Sequence, residues 1–338
     1  MRTILVGGGA GFIGTNFVRW MLEQYPDLRI INVDKLTYAG NRKNLADLPS
    51  DRHILIEGDV ANSALIFWIT EAFKPEAIVN FAAETHVDRS IHGDLSDFVM
   101  SNVLGPQVFC EATKRYQIPK FIQISTDEVF GSLELGEQRL FTEDTAFAPN
   151  MPYAACKAGG DLICRSYYQT FRTPVIVTHC SNNYGPYQFP EKFIPQSVFK
   201  AMVDAAIPIY GDGLYVRDWI HVIDHARAID TLLKRGMPGE VYNIGADNER
   251  HNIDVVKMIL RALGKPESLL AFVQDRPGHD RRYGIDARKM HALGWQPIYT
   301  KEKFEQGLLE TIEWYKKNST WVEELRKRSA EINAHIAV

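Results

Sequence analysis

The sequence predicts an α/β protein, a doubly wound parallel sheet with a smaller C-terminal lobe. Three observations predict it. Short Val/Ile-rich runs alternate with longer segments of helical period through the first half of the chain. Those runs are apolar on both faces, as strands of a helix-covered parallel sheet must be. From about Tyr184 the texture changes, and prolines and glycines cluster at 185–195, 208–213 and 236–239.

Taken in order, TILV at 3–6 is the first strand, and Phe12, Ile13, Phe17, Val18, Met21 and Leu22 then recur at helical spacing. RIINVD at 29–34 is the second strand and HILIEGD at 53–59 the third. A helix is expected over 63–73, with Ser63 as its N-cap. Strands follow at 77–83, 120–126 and 174–180. The segment 96–116 has helical period but contains Gly105-Pro106, so a kink is expected there. A late helix is expected over 300–318, and the charged stretch 323–331 reads as a solvated helix face. At roughly 150 residues per domain, 338 residues make about two units. The expected division is a dinucleotide-binding unit at 1–180, to which segments near 215–245 return, and a substrate lobe at 181–338.

Composition excludes several classes. The formal net charge is -4, which gives no basic excess for a nucleic-acid partner. Cys110, Cys156, Cys164 and Cys180 include no CxxC pair, so reduced thiols of a cytoplasmic protein are expected rather than a zinc site. His221 and His225 are spaced as metal ligands can be, but Val222 stands where the metalloprotease pattern needs Glu, and no metal is expected. No run of about 18 apolar residues appears, so no membrane span is expected.

Gly8, Gly11 and Gly14 follow the first strand and open the first helix. Glycines there let backbone N–H groups approach a pyrophosphate, and the helix N-terminus adds partial positive charge. Asp34 ends the second strand, where a carboxylate binds the hydroxyls of an adenosine ribose and disfavours a 2′-phosphate. This is a Rossmann-type pattern, and the cofactor expected is NAD.

Tyr153 and Lys157 are spaced i, i+4, which places them on one helix face. An ammonium near a phenol favours the phenolate, which can then take a hydroxyl proton. Ser125-Thr126-Asp127-Glu128 ends the strand at 120–126, where α/β sheets bind ligands. These side chains face the substrate or cap the next turn. The adjacent carboxyls can divide acid and base roles.

On these residues the chain resembles the extended short-chain dehydrogenase/reductases, the NAD-dependent epimerase/dehydratase family. The resemblance covers nearly the whole chain. It is carried by VDKLTYAGN (33–41), VNFAAETHVDRSI (79–91), STDEVFG (125–131), SNNYGPYQFPEKFIP (181–195), GDGLYVRDWIHVIDH (211–225) and RPGHDRRYGID (276–286). The Asp127-Glu128 pair separates the family's dehydratases from its 4-epimerases.

The resemblance implies a cytoplasmic lyase that converts dTDP-glucose to its 4-keto-6-deoxy product. Tyr153, assisted by Lys157 and Thr126, would take the C4 hydroxyl proton as hydride passes to NAD. Glu128 would take the C5 proton, Asp127 would protonate the departing C6 hydroxyl, and hydride would return to C6. The cofactor residues implied are Gly8, Gly11, Phe12, Ile13, Gly14, Asp34, Lys35, Thr37, Asp59, Val60, Ala83, Thr85, Asn102, Tyr153, Lys157 and Asn183. Those implied for the nucleotide sugar are Thr85, Thr126, Asn182, Lys192, Arg217, Asn248, Arg276 and His279. A homodimer through helices at 96–116 and 153–170 is also implied. The alternatives are a 4,6-dehydratase or 4-epimerase on another nucleotide sugar, or a non-enzymatic NAD-binding regulator. The chain departs from the family at Gly7, Thr85, Pro106, Phe130 and Cys156, where Thr, Ser, Thr, Tyr and Ser are usual.

Overall fold

The computed structural model describes residues 1–275 and 278–334. Six strands follow one another in the first half: β1 (Thr3–Gly7), β2 (Arg29–Asp34), β3 (His53–Glu57), β4 (Ala77–Asn80), β5 (Phe121–Thr126) and β6 (Val175–Cys180). Six more complete the described chain: β7 (Asn182–Tyr184), β8 (Ile207–Tyr210), β9 (Val216–His221), β10 (Val241–Ile244), β11 (Glu249–His251) and β12 (Leu270–Val273). Seven of these form one sheet in the order β3-β2-β1-β4-β5-β6-β10, with every pair parallel. The chain leaves β1 for β2 on one side and later β4 on the other. That reversal opens a crevice at the carboxyl ends of β1 and β4, where open α/β sheets bind ligands.

The period of two explains the layers. Ile4, Val6 and Ile30 face one way and pack with Phe17 and Val18 of the helix Phe12–Gln24 and with Ile229 and Leu232 of the helix Val222–Arg235. Leu5, Ile31 and Val33 face the other way, onto Ile66 and Ile69 of the helix Ser63–Phe73 and onto Phe109. Burying apolar surface on both faces at about 25 cal/mol per Å² is the dominant favourable term for such a sheet. Beyond β6 the small sheets β11-β9-β7 and β12-β8 surround a separate core of Tyr184, Phe199, Trp219, Ile259, Phe304 and Tyr315.

Several boundaries differ from the sequence expectation, each for a local reason. The helix at 63–73 is capped by Asn62, whose side chain accepts from Leu65 N at 3.1 Å, and not by Ser63. The third strand stops at Glu57, because Asp59 Oδ1 accepts from Ala61 N and turns the chain. The fourth stops at Asn80, whose side chain accepts from Ala82 N at 3.0 Å.

The expected kink at Gly105-Pro106 takes a different form. A π-helical segment, Met100–Leu104, joins the helix Ser96–Val99 to the helix Gly105–Arg115, and Pro106 sits in the first turn of the latter. The wider turn absorbs the missing N–H. The late helix runs Phe304–Lys317 after a 3-10 turn at Lys301–Lys303. The charged stretch at 323–331 belongs to the helix Ser319–Ala334; Glu323, Glu324, Arg326 and Lys327 are exposed as expected, while Leu325 is buried and Arg328 half-buried on the opposite, packed side. Side chains from 329 onward lie outside the described residues. No described helix is long and apolar enough to cross a membrane.

Candidate active site

The glycine turn closes at the end of β1. Gly8 has φ +73°, and a Cβ there would strike the backbone of Ala82. A Cβ at Gly14 would be driven into the Gly8 carbonyl oxygen, so that glycine serves close packing of helix on turn. Gly11 is different: its nearest protein atom would be the Gly8 oxygen at 3.5 Å. A glycine with room around it leaves backbone accessible to a ligand. The cradle therefore fits a pyrophosphate.

Asp34 stands beside this turn. Its Oδ2 accepts from Ala10 N at 2.9 Å and its Oδ1 from Leu36 N at 2.8 Å. Burial raises its pKa against these two amide donors. Each oxygen keeps a second lone pair for a ribose hydroxyl. Lys35 turns to Asp59 at 3.0 Å. Thr37 lies in the turn that follows, Phe12 and Ile13 begin the first helix half-buried, and Val60 is buried against Gly105. Ala83 and Thr85 follow β4, on a loop held by Asn102. The Asn102 side chain accepts from Glu84 N at 3.1 Å and donates to Glu84 O at 3.0 Å.

Tyr153 and Lys157 begin the helix Pro152–Phe171, both buried. Lys157 Nζ donates to the Ile124 carbonyl at 2.6 Å, which ties the helix to β5 one residue before Ser125. The spacing predicted a phenol depressed by the lysine, and the structure reverses that. Burial pushes the Tyr153 phenol well above its ordinary value, and the charge of Glu128 adds to the rise. Burial also lowers Lys157, against the opposing charge of Asp161. Desolvation is the largest cause of both shifts.

The strand-end run divides its work. Ser125 turns inward, and its hydroxyl donates to Asp161 Oδ2 at 2.6 Å. Thr126 caps the turn Asp127–Phe130, accepting from Glu128 N at 3.4 Å and donating to Asp127 Oδ1 at 3.3 Å. Asp127 is 2% exposed, and burial together with the charges of Glu128 and Asp218 pushes its carboxyl well above the usual range. Its Oδ2 has no protein partner. Glu128 lines a cavity of about 520 Å³. One carboxyl is thus buried, with its protonated form favoured, beside another that lines the cavity. Phe130 is buried against Phe141, Phe147 and His179, so its departure from the usual tyrosine removes a hydroxyl from the core.

The same cavity is lined by Thr85, Asn182, Lys192, Arg217 and His279. Arg217 donates to the carbonyls of Val216 at 2.8 Å and Asp280 at 2.9 Å, and lies over the Tyr283 ring. It does not pair with its neighbour Asp218, which instead accepts from Ala246 N and Asn248 N. His279 stacks on Tyr215 at 3.8 Å, and its Nδ1 meets Asp275 at 2.7 Å. Lys192 donates to the Thr85 carbonyl at 3.0 Å. Asn182 Oδ1 and Trp219 Nε1 are buried on this wall without protein partners, as sites for ligand hydrogen bonds should be.

One residue named from the sequence stands elsewhere, and another is not described. Asn248 is fully buried behind the wall, where its amide donates to the Trp219 carbonyl and its Oδ1 accepts from Arg250. Asn183, by contrast, lines the cavity, and His225 Nδ1 donates to its Oδ1 at 3.0 Å. Arg276 lies outside the described residues. His221 caps Ile223 N and packs on Tyr299. The sequence reading missed Asp161, His179, Gln188 and Tyr283. Gln188 and Tyr283 lie within the runs 181–195 and 276–286 that carry the resemblance; Asp161 and His179 had no such signal.

A family model described as GDP-mannose 4,6 dehydratase matches residues 5–311. The dTDP-glucose 4,6-dehydratase of Xanthomonas campestris pv. campestris (strain B100) is 48% identical, covering 96% of this chain and 95% of its own. The crystal structure of dTDP-glucose 4,6-dehydratase from Bacillus anthracis in complex with NAD superposes with a TM-score of 0.88 at 48% identity, covering 96% of this chain and 100% of that one. A dTDP-glucose 4,6-dehydratase from Streptomyces venezuelae, with NAD and TYD bound, gives a TM-score of 0.90 at 43% identity, covering 96% and 99%.

Proposed function

The chain belongs to the NAD-dependent epimerase/dehydratase family, and we propose that it dehydrates dTDP-glucose to dTDP-4-keto-6-deoxyglucose. The observation that carries this reading is the pair Asp127 and Glu128. A buried carboxyl whose protonated form is favoured adjoins one that lines the cavity, close enough to Tyr153 for its charge to raise the phenol. Epimerisation needs no acid and base of this kind, whereas elimination of water needs both.

Tyr153, as the phenolate and assisted by Thr126 and Lys157, would take the proton of the C4 hydroxyl; burial alone opposes that form, and the positive charge of an oxidised nicotinamide, when bound, would favour it. The cofactor, when bound, supplies a reversible hydride store, filled from C4 and emptied to C6. The C4 ketone acidifies C5–H, and Glu128 takes that proton. Asp127 gives its proton to the C6 hydroxyl, which leaves as water. Glu128 then returns a proton to C5 as C6 is reduced. The proton gained by Tyr153 balances the one lost by Asp127, so the net change is loss of one water. Gly8, Gly11, Gly14 and Asp34 would hold the dinucleotide. Thr85, Asn182, Lys192, Arg217 and His279 would hold the nucleotide sugar, with Arg217 on its diphosphate.

A homodimer through the helices at 96–116 and 153–170 is supported by the exposed apolar side chains Val99, Met100 and Leu162 on them. The four free thiols support a cytoplasmic enzyme. To test the activity, the purified protein is incubated with dTDP-glucose and with UDP-, GDP- and CDP-glucose, and the alkali-induced absorbance of a 4-keto-6-deoxy product is followed. Turnover of dTDP-glucose is expected to exceed the others, and no turnover of any sugar would contradict the reading.

A further inference from the structure

The C-terminal helix Ser319–Ala334 crosses back to the first half of the chain and grips the turn that follows Asp34. Arg328 donates to three carbonyls of that turn: Thr37 at 2.7 Å, Gly40 at 3.1 Å and Leu36 at 3.3 Å. Leu36 has φ +53°, a left-handed conformation that a branched side chain adopts only when its surroundings hold it. Its N–H is held by Asp34 and its carbonyl by Arg328. One helical turn earlier, Leu325 is buried with Tyr38 of the same turn.

The grip extends to the phosphate cradle. Trp321 Nε1 donates to Asn44 Oδ1 at 2.8 Å, and Asn44 Nδ2 donates to the Ala10 carbonyl at 3.2 Å. Asn41 N donates to the same carbonyl at 3.0 Å. Ala10 N in turn donates to Asp34. A continuous set of hydrogen bonds therefore joins the C-terminal helix to the glycine turn and to the ribose carboxylate.

We propose that Arg328 is a positioning residue for the dinucleotide: through the 36–40 turn it holds Asp34 and the glycine cradle in their binding geometry, and so slows release of the cofactor. The proposal rests on the NAD reading above. A cofactor that is reduced and re-oxidised within one turnover must stay bound through it, and a turn with a left-handed leucine does not keep that shape unaided.

The test uses the full-length holoprotein. Arg328→Met keeps the aliphatic stem and removes the donors, and Arg328→Lys restores one charge without the three-way fork. NAD retained per protomer after gel filtration, and the Kd for NAD added back, are measured with the substrate KM at saturating NAD. Arg328→Met is expected to weaken NAD binding about tenfold or more, Arg328→Lys less, with KM within about twofold of the parent. Parent-like NAD retention in Arg328→Met overturns the proposal. So does a KM that rises with the NAD Kd, since general loosening would move both.

Hydrogen exchange on the parent protein needs no variant. Adding NAD should protect amides of 319–328, which the proposal couples to the cofactor by linkage. Unchanged exchange there overturns it even if the variants fail to fold. A parent that binds no NAD at all would instead sink the cofactor reading itself.

Discussion

The hydroxyl of Ser125 donates to the carboxylate of Asp161 at 2.6 Å, behind the strand end that carries Thr126, Asp127 and Glu128. His179 Nε2 meets the same Asp161 oxygen at 3.3 Å, on the strand residue that pairs with Ser125. Asp161 also lies one helical turn past Lys157, whose ammonium sits on the Ile124 carbonyl. The carboxylate thus braces the catalytic strand and offsets the burial of the lysine.

Asp161→Asn should therefore act through Lys157. Removing the charge leaves burial unopposed, so the lysine pKa falls further below its ordinary value. Protonated lysine is then lost at lower pH, and the alkaline limb of the kcat profile moves toward acid. A fall in kcat of about tenfold to a hundredfold is expected, with KM for dTDP-glucose nearly unchanged. A pH profile superimposable on the parent's would show that Asp161 only packs.

Glu128→Gln should separate the two halves of the reaction. C4 oxidation survives, while dehydration falls by about two to four orders of magnitude. Reduced cofactor should then accumulate on mixing with substrate, read by its absorbance in a single turnover. Dehydration at the parent rate would mean that Glu128 is not the base.

Gly11→Ala and Gly14→Ala should differ in kind. A methyl at Gly11 meets only the Gly8 oxygen at 3.5 Å, so thermal stability without cofactor should hold while NAD binding weakens about tenfold or more. A methyl at Gly14 collides with the Gly8 backbone, so that variant should lose stability first. Equal melting temperatures for the two would contradict this assignment of the glycines.

Acid should destabilise the protein partly through His225. Burial lowers its pKa to about 3 in the folded protein, against about 6.5 unfolded. The stabilisation is therefore full above about pH 6.5 and is lost as pH falls toward 3. Between pH 7 and 5 the loss is about 2 kcal/mol, and His221, lowered to about 4, loses a comparable amount there. Asp34 and Asp127, held above their ordinary values, act in the opposite sense, so the comparison is between parent and His225→Gln. Urea midpoints at the two pH values should converge in the variant.

The legible parts of the fold were those written in one stretch of sequence. Gly8, Gly11 and Gly14 with Asp34 are local, as is the i, i+4 spacing of Tyr153 and Lys157. Strand interiors were legible because continuous Val/Ile runs admit few other readings. Asp161 and His179 were not, because the pairing of Ser125 with His179 across β5 and β6 brings them together. The direction of the Tyr153 shift was misread for a related reason: spacing shows the partner, but burial decides which charged form survives. The grip of Arg328 on residues 36–40 spans nearly the whole chain, and its charged neighbours resembled an ordinary solvated face.

The central claim is that hydride leaves C4 and returns to C6 within one enzyme-bound cycle, with water lost between. Substrate carrying deuterium at C4 tests it most directly. The account predicts that the label is recovered at C6 of a 4-keto-6-deoxy product, even with unlabelled NAD present in solution. Label that remains at C4, in glucose or its 4-epimer, would contradict it.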